Sequence, residues 1–423
     1  MSRTQVAAVA VTIAISALDG YDVLSMTFAA PAISLAWGLD KATLGLLLAS
    51  GLLGMAAGAL GLSPLADIIG RRWAILIGLA FMGVGMFVSA FTSTVIELAA
   101  CRVFTGVGIG LCVAVITPLA AEFANRKNRA LAVSAMAVGY PVGGMIGGVL
   151  ASFLLSAFGW PSVFIAGSLF AVVLLPAVLV WLPEPPAFLL ARRGSHSLAR
   201  INAFLARCGH PMVAQLPVAE SKPTSSYGAL FSRTMISRTL RITVVNMLFV
   251  MTVYYVLSWL PQMVADGGFS AATGSFVSSV ASLAGVVACI VLGIMARRGG
   301  LHRLVVGAMI GLGVATVAFG FTPSSLPMLC AAAAIAGVFL YSGIAGLYTT
   351  IAATFEPTSR ASGTGFVIGM GRLSSIAGPY FAGWLFSAGL GHGAVSLIFA
   401  VCAVLAGLAL ATQPLAARAD VES

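Results

Sequence analysis

Between two long apolar stretches the chain reads Gly61-Leu62-Ser63-Pro64-Leu65-Ala66-Asp67-Ile68-Ile69-Gly70-Arg71-Arg72. The acid stands near the end of one predicted helix, and the last glycine permits a tight turn before two consecutive arginines. A carboxylate can pair with arginines across such a turn. The spacing therefore predicts a latch that holds neighbouring helices together in one conformation, formed by Asp67, Gly70, Arg71 and Arg72.

The composition on both sides of this turn is that of a polytopic membrane protein. Of the 423 residues, 60% are hydrophobic and 8% are charged, whereas soluble domains have roughly 25% charged residues. A helix needs about 20 apolar residues to cross a hydrocarbon core ~30 Å thick. Stretches of that kind predict twelve membrane helices, at residues 6–33, 42–65, 73–93, 96–117, 130–155, 161–182, 240–262, 271–295, 303–322, 327–352, 361–387 and 392–412.

The net charge of +10 is distributed unevenly along these predicted helices. Only Lys41, Arg102 and Arg372 of the 22 basic residues fall outside the alternate loops and the two termini that would share one side of the membrane. Basic loops stay in the cytoplasm, so the asymmetry predicts cytoplasmic termini and an even number of helices. The charge therefore indicates membrane topology, and we expect no nucleic-acid partner.

The sequence gives no sign of a metal site, a cofactor or a cleaved leader. The cysteines contain no C-x-x-C pair, and the histidines have no ligand spacing. The first apolar run continues past Asp22 without a clear cleavage site, which predicts a retained helix.

One long polar interval separates six predicted helices from six. Arg129 opens the fifth helix and Arg360 the eleventh, and Gly147 and Gly378 follow at equal offsets. A weak repeat of this kind is typical of transporters built from two similar halves around a midplane site. We expect an N-terminal half at 1–182, a cytoplasmic linker at 183–239, and a C-terminal half with a short cytoplasmic tail at 240–423.

The first predicted helix carries two acids, in Asp19-Gly20-Tyr21-Asp22. A carboxylate costs about 2.5 to 3.5 kcal/mol at the centre of a membrane helix. Three residues apart, both carboxyls face one side of the helix, and their mutual repulsion favours uptake of a proton. The pattern predicts that Asp19 and Asp22 couple transport to protons; structural hydrogen bonds to neighbouring helices are the alternative.

Three further segments agree with the turn after the second helix. They are Arg102-Val103-Phe104-Thr105-Gly106-Val107-Gly108-Ile109-Gly110, Gly139-Tyr140-Pro141-Val142-Gly143-Gly144 and Leu182-Pro183-Glu184-Pro185-Pro186. Together they resemble the signature segments of the major facilitator superfamily. That resemblance implies an all-α integral membrane protein, with twelve transmembrane helices in two six-helix halves.

A narrower resemblance rests on the Asp-Gly-Tyr-Asp element, on Tyr255 with Trp259-Leu260-Pro261, and on Gly371-Arg372. These segments are similar to those of the bacterial aromatic acid:proton symporters. His302 matches a family histidine, but Arg297 stands where the family has an acid. The resemblance implies importance in transport for Asp19, Asp22, Arg102, Glu122, Arg360 and Arg372.

An aromatic acid requires a cation for its carboxylate and aromatic walls for its ring. Arg372 lies near the middle of its helix, where its planar fork suits a carboxylate or, alternatively, a structural ion pair. Arg102 either pairs with the first helix or guides the anion. For each aromatic residue, the alternative is a place in helix packing or in the interfacial aromatic belt. The predicted substrate-binding set is Arg372, Arg102, Tyr255, Trp259, Asn246 and Tyr21.

Acid and base pairs at the predicted cytoplasmic ends indicate gates. We expect Glu122 to pair with Arg126 or Arg129, and Glu356 to pair with Arg360, with simple solvation as the alternative.

The sequence thus predicts a transporter of the bacterial inner membrane that imports a small, benzoate-like or hydroxybenzoate-like aromatic carboxylate together with protons. Its partners would be that anion, protons and the lipid bilayer, with no obligatory protein partner. The alternatives are a carrier of a non-aromatic organic acid or a sugar, and a transporter-like sensor. An intramembrane enzyme is disfavoured because the two acids of the first helix have no second acidic helix to complete a catalytic pair.

Overall fold

A computed structural model describes residues 1–125, 127–192, 197–208, 211–216, 230–232, 235–296, 300–355 and 360–412. Within these ranges, the side chains of residues 63, 64, 67, 130, 187, 191, 192, 360 and 361 are outside the description.

Helices account for all the regular secondary structure of the described residues, as the composition predicts. The long helices are α1 Arg3–Trp37, α2 Lys41–Ala57, α3 Arg71–Ser89, α4 Val95–Phe123, α5 Arg129–Phe158, α6 Pro161–Trp181, α7 Ile236–Asp266, α8 Ala271–Ala296, α9 Leu301–Gly320, α10 Leu326–Thr354, α11 Arg360–Ser387 and α12 His392–Ala411. A π-helical segment, Gly58–Leu62, extends α2, and short helices span Ser63–Ile69, Pro186–Arg192 and Ser197–Arg207.

These helices correspond one to one with the predicted membrane spans, although several are longer. Eleven of them are long and apolar enough to cross a bilayer, judged on the described residues. The exception is α11, which has sufficient length at 28 residues but carries Arg372 among several serines and glycines. At about 1.5 Å per residue, the 35-residue α1 exceeds a ~30 Å hydrocarbon core.

The chain forms two compact units. The first contains Met1–Ser25, Leu53–Gly144 and Trp160–Lys222, and the second contains Met26–Leu52, Met145–Gly159 and Pro223–Ser423. The boundaries fall inside α1, α2 and α5. The division into halves at 1–182 and 240–423 stays a prediction.

Glycines bring helix backbones into direct contact within the first unit. A Cβ atom at Gly20 of α1 would lie 2.0 Å from the carbonyl oxygen of Tyr140 in α5. A Cβ at Gly54 of α2 would lie 2.0 Å from the carbonyl oxygen of Val103 in α4. Small residues permit this approach between membrane helices, and no larger side chain fits there.

The second unit is joined in the same manner. A Cβ at Gly378 of α11 would lie 2.5 Å from the carbonyl oxygen of Met251 in α7. The first turns of α2 also belong to this unit, where a Cβ at Gly45 would lie 2.8 Å from the carbonyl oxygen of Pro379. These contacts fix the register in which polar side chains of α7 and α11 meet.

Candidate functional site

A buried ion pair joins α1 to α4 in the first unit. Arg102 donates from Nη1 to Asp22 Oδ1 at 2.8 Å and from Nη2 to the backbone oxygen of Asp22 at 3.0 Å. The two side chains are 2% and 0% exposed. Of the two roles that the sequence leaves open for Arg102, pairing with the first helix is therefore observed. Phe164 of α6 adds a cation–π contact, with its ring centroid 5.7 Å from the guanidinium carbon.

Asp19 lies one turn before this pair and is 8% exposed. The glycine that follows it is the contact point between α1 and α5, so the Asp-Gly-Tyr-Asp element is held by backbone packing at its centre. Asp19 and Asp22 thus flank a close backbone contact between α1 and α5. Their role in proton coupling stays a prediction.

Tyr21 faces α6. Its hydroxyl donates to the carbonyl oxygen of Val163 at 2.6 Å, and its ring approaches Gly167, where a Cβ would lie 2.7 Å from the Tyr21 Cε1 atom. With 4% exposure, Tyr21 is a packing residue in this conformation. Contact between Tyr21 and a substrate stays a prediction.

In the second unit, Arg372 of α11 meets a tyrosine of α7. Arg372 Nη1 donates to Tyr254 Oη at 3.1 Å, and Tyr254 is 9% exposed. Sequence reasoning did not select Tyr254 from the aromatic residues of its helix. Tyr254 and Tyr255 are neighbouring tyrosines, and the local sequence does not distinguish them. The register between α7 and α11 decides which hydroxyl reaches the arginine.

Tyr255 and Trp259 lie one turn apart, as predicted, and both are almost completely buried. The Tyr255 hydroxyl hydrogen-bonds Ser396 Oγ at 2.8 Å, and its ring stacks on Phe399 with centroids 4.3 Å apart. Trp259 Nε1 donates to the carbonyl oxygen of Pro379 at 3.1 Å. These contacts are packing contacts inside the unit, and a role in binding stays a prediction.

Asn246 lies about two turns before Tyr254 on α7 and is fully buried. Its Nδ2 donates to the carbonyl oxygen of Val367 at 2.8 Å, and its amide fills the space beside Gly371. Among the described residues, Asn246 Oδ1 has no hydrogen-bond partner. An amide acceptor is therefore held against the residue that precedes Arg372.

The turn before α3 contains a contact that the sequence did not predict. Gly70 has a φ of +105°, and the Glu184 carboxylate accepts hydrogen bonds from the backbone N–H groups of Arg71 at 2.6 Å and Arg72 at 3.3 Å. A carboxylate at a helix N-terminus is electrostatically favoured. Burial raises the pKa of the Glu184 carboxyl, and the two N–H groups oppose that rise by stabilising the anion.

One gate residue has a partner that the sequence did not predict. Glu122 forms an ion pair with Arg71, because the turn at Gly70 brings the start of α3 beside the end of α4. Pairing of Glu122 with Arg126 or Arg129 stays a prediction. Arg129 Nε donates to the carbonyl oxygen of Ala121 at 3.2 Å.

Several predicted gate groups lie outside the described part of the chain. They are Glu356, Arg126 and the side chains of Asp67 and Arg360. In the part that the structure describes, no three His, Cys, Asp or Glu residues form a group that could hold a metal ion.

Long membrane helices that bury an Asp–Arg pair and carry a second, half-buried arginine are typical of membrane transporters, in which intramembrane charges mark substrate and ion pathways. The sequence matches the Major Facilitator Superfamily over residues 10–325 and 242–420. The chain belongs to that superfamily, and it is a multi-pass membrane transporter.

The chain is similar to characterised transporters over nearly all of its length. It is 33% identical to a gallate transporter of Pseudomonas putida, over 93% of this chain and 88% of the relative. It is 30% identical to the 4-hydroxybenzoate transporter PcaK of Pseudomonas aeruginosa, over 95% and 91%. The fold resembles that of the xylose transporter XylE from E. coli in an inward-open conformation, with a TM-score of 0.72, 17% identity, and coverage of 96% of this chain and 95% of that one.

Proposed function

We propose that the protein imports a small aromatic carboxylate, of the benzoate or hydroxybenzoate type, together with protons by alternating access. The observation that carries the proposal is the contact between Arg372 and Tyr254, which places a cation beside an aromatic ring. The gallate and 4-hydroxybenzoate transporters that the chain resembles support the same substrate class. The proposed activity is transport without a catalytic step.

Arg372 is the proposed anchor for the substrate carboxylate. A guanidinium has five N–H donors in a planar fork, and Tyr254 accepts from one of its terminal nitrogens. A planar guanidinium is suited to bidentate binding of a carboxylate, and the contact with Tyr254 would help to orient it. Tyr254 thus becomes the first candidate for the aromatic wall, ahead of Tyr255 and Trp259, whose rings are engaged with Phe399 and Phe386.

Asn246 is the proposed hydrogen-bonding residue of the same site. Its buried Oδ1 has no partner among the described residues, and an unsatisfied buried acceptor costs about 1 to 3 kcal/mol. A ring hydroxyl of the substrate would supply the missing donor. This argument favours hydroxylated aromatic acids over benzoate itself.

Asp19 and Asp22 are the proposed proton carriers. Protonation of Asp22 would replace a charge-assisted bond with a weaker one and leave the Arg102 cation poorly compensated. The protonation state and the preferred arrangement of α1 and α4 are therefore linked, which is the requirement for coupling. Arg102 would act on the substrate only through this linkage.

We further propose that both termini lie in the cytoplasm and that the protein resides in the bacterial inner membrane. In this orientation the groups at Asp67, Gly70, Arg71, Arg72, Glu122 and Arg129 are proposed cytoplasmic gate groups of the N-terminal sequence, and Glu356 with Arg360 is a second proposed gate pair. The distribution of basic residues supports this orientation.

Uptake of radiolabelled 4-hydroxybenzoate into proteoliposomes tests the proposal. We expect accumulation under an inward proton gradient and none after a protonophore collapses it. Succinate and xylose in parallel distinguish a carrier of other organic acids or sugars, and equilibrium binding without uptake would indicate a sensor. Gradient-independent accumulation would contradict the coupling to protons.

A further inference from the structure

One carboxylate in the second unit connects the ends of three helices. Asp266, the last residue of α7, accepts from Lys41 Nζ at 2.6 Å on both oxygens. Gln262 Nε2 donates to its Oδ1 at 2.8 Å, and His392 Nε2 lies 3.0 Å from its Oδ2. Lys41 is the first residue of α2, and His392 is the first residue of α12.

The positions of these charges are unfavourable for the helices that carry them. A helix C-terminus repels an anion, and a helix N-terminus repels a cation. Asp266 occupies the first kind of position and Lys41 the second. Their placement is therefore explained by the contact between helices and not by helix stability.

Close backbone packing lies beside this cluster. Gly45, one turn after Lys41, approaches the backbone of α11, where a Cβ would lie 3.0 Å from the Cα atom of Gly383. Nearby, α5 meets α8, and a Cβ at Gly148 would lie 2.8 Å from the Cβ of Ser279. The start of α2 and the end of α5 are thus closed against helices of the C-terminal sequence.

The cluster differs from this packing in its access to water. The Lys41, Asp266 and His392 side chains remain 30%, 22% and 33% exposed. Partly hydrated ion pairs are weak and can separate reversibly. A contact that must break and reform in every transport cycle needs that property.

We propose that Asp266 is the hub of a gate that holds this end of the protein closed, with Lys41, Gln262 and His392 as its partners. Release of Asp266 frees the start of α2 from α7 and α12. The inference rests on alternating access by a transporter, and it does not depend on which substrate is carried.

The test uses the full-length protein in nanodiscs, with the native cysteines replaced and Ser279→Cys as a reporter. Ser279 is 3% exposed and faces Gly148, so a hydrophilic maleimide reaches Cys at this position only when that contact opens. Asp266→Asn should raise the labelling rate about fivefold, the population shift expected of an exposed ion pair. Asp40→Asn is the matched control, because this acid lies at the same end and, within the described part of the chain, its hydrogen bonds go to Thr43 and nearby backbone groups.

A charge exchange separates a gate from a general loss of packing. Lys41→Asp combined with Asp266→Lys restores opposite charges and places each at the favourable end of its helix. Labelling should return to the rate of the reporter protein that has the native Lys41 and Asp266. Melting temperature and gel filtration are the controls of folding. An unchanged rate in folded Asp266→Asn, an equal increase in Asp40→Asn, or no recovery in the exchanged pair would each overturn the proposal. Because labelling needs no substrate, failure of the proposed substrate assignment would leave this result unaffected.

Discussion

At the scale of single residues, Arg102 and Arg372 have different environments. Arg102 is held by a carboxylate in the first unit, whereas Arg372 donates to a neutral phenol in the second. A carboxylate neutralises a guanidinium, but a phenol only orients it. The ion pair with Asp22 supports a structural role for Arg102, and the anion site at Arg372 stays a proposal.

Asp22→Asn should lower the free energy of unfolding by about 3 to 5 kcal/mol, because it leaves the Arg102 cation buried without a counter-charge. Unfolding in a denaturing detergent measures the change. Asp22→Asn combined with Arg102→Leu should recover part of the loss. A double variant that is less stable than Asp22→Asn would contradict a pair whose energy depends on charge compensation.

Arg372→Ala should weaken binding of an aromatic acid on the order of ten- to a hundredfold and leave its neutral amide almost unaffected, because a charge-assisted bond is worth about 1.5 to 3 kcal/mol. The affinity of Arg372→Lys for the acid should lie between those of the unmodified protein and Arg372→Ala, because lysine keeps the positive charge but lacks the planar guanidinium. Isothermal titration with acid and amide measures both.

Tyr254→Phe and Tyr255→Phe form a matched pair for the same site. The first removes the acceptor of Arg372, and the second removes a hydroxyl that bonds Ser396. Only Tyr254→Phe should reduce the preference for acid over amide.

The Arg372 proposal has a clear contradicting outcome. If a folded Arg372→Ala protein keeps its full preference for acid over amide, the anion site lies elsewhere, and Arg102 is the next candidate.

At the scale of helices, a glycine opposite a backbone carbonyl sets the position of the acidic element in α1. Gly20→Ala should destabilise the protein by about 1 to 3 kcal/mol and reduce uptake, because its Cβ would overlap the Tyr140 carbonyl oxygen and backbone cannot move aside cheaply. Gly307→Ala in α9 is the control, since nothing lies within 4 Å of its Cβ. That variant should be neutral or stabilised by up to ~1 kcal/mol. Equal melting temperatures for the two variants would refute the contact.

At the scale of the whole molecule, the sequence predicts the helices well, because apolar length and charge asymmetry are local properties of a membrane span. The superfamily also follows from segments such as the turn at Gly70. The ion pair of Glu122 with Arg71 and the link from Lys41 to Asp266 were not predicted. Both pairs join residues distant in the chain, and no local pattern records which of several bases an acid will meet.

The glycine contacts of the first unit also limit how its helices can move during transport. The carbonyl oxygen of Tyr140 occupies the notch left by the missing side chain of Gly20, and that of Val103 occupies the notch at Gly54. A shift of one residue along either axis would drive a side chain into a carbonyl. Sliding of α1 along α5, or of α2 along α4, is therefore blocked. At these contacts the two helices of each pair must move together as a rigid body.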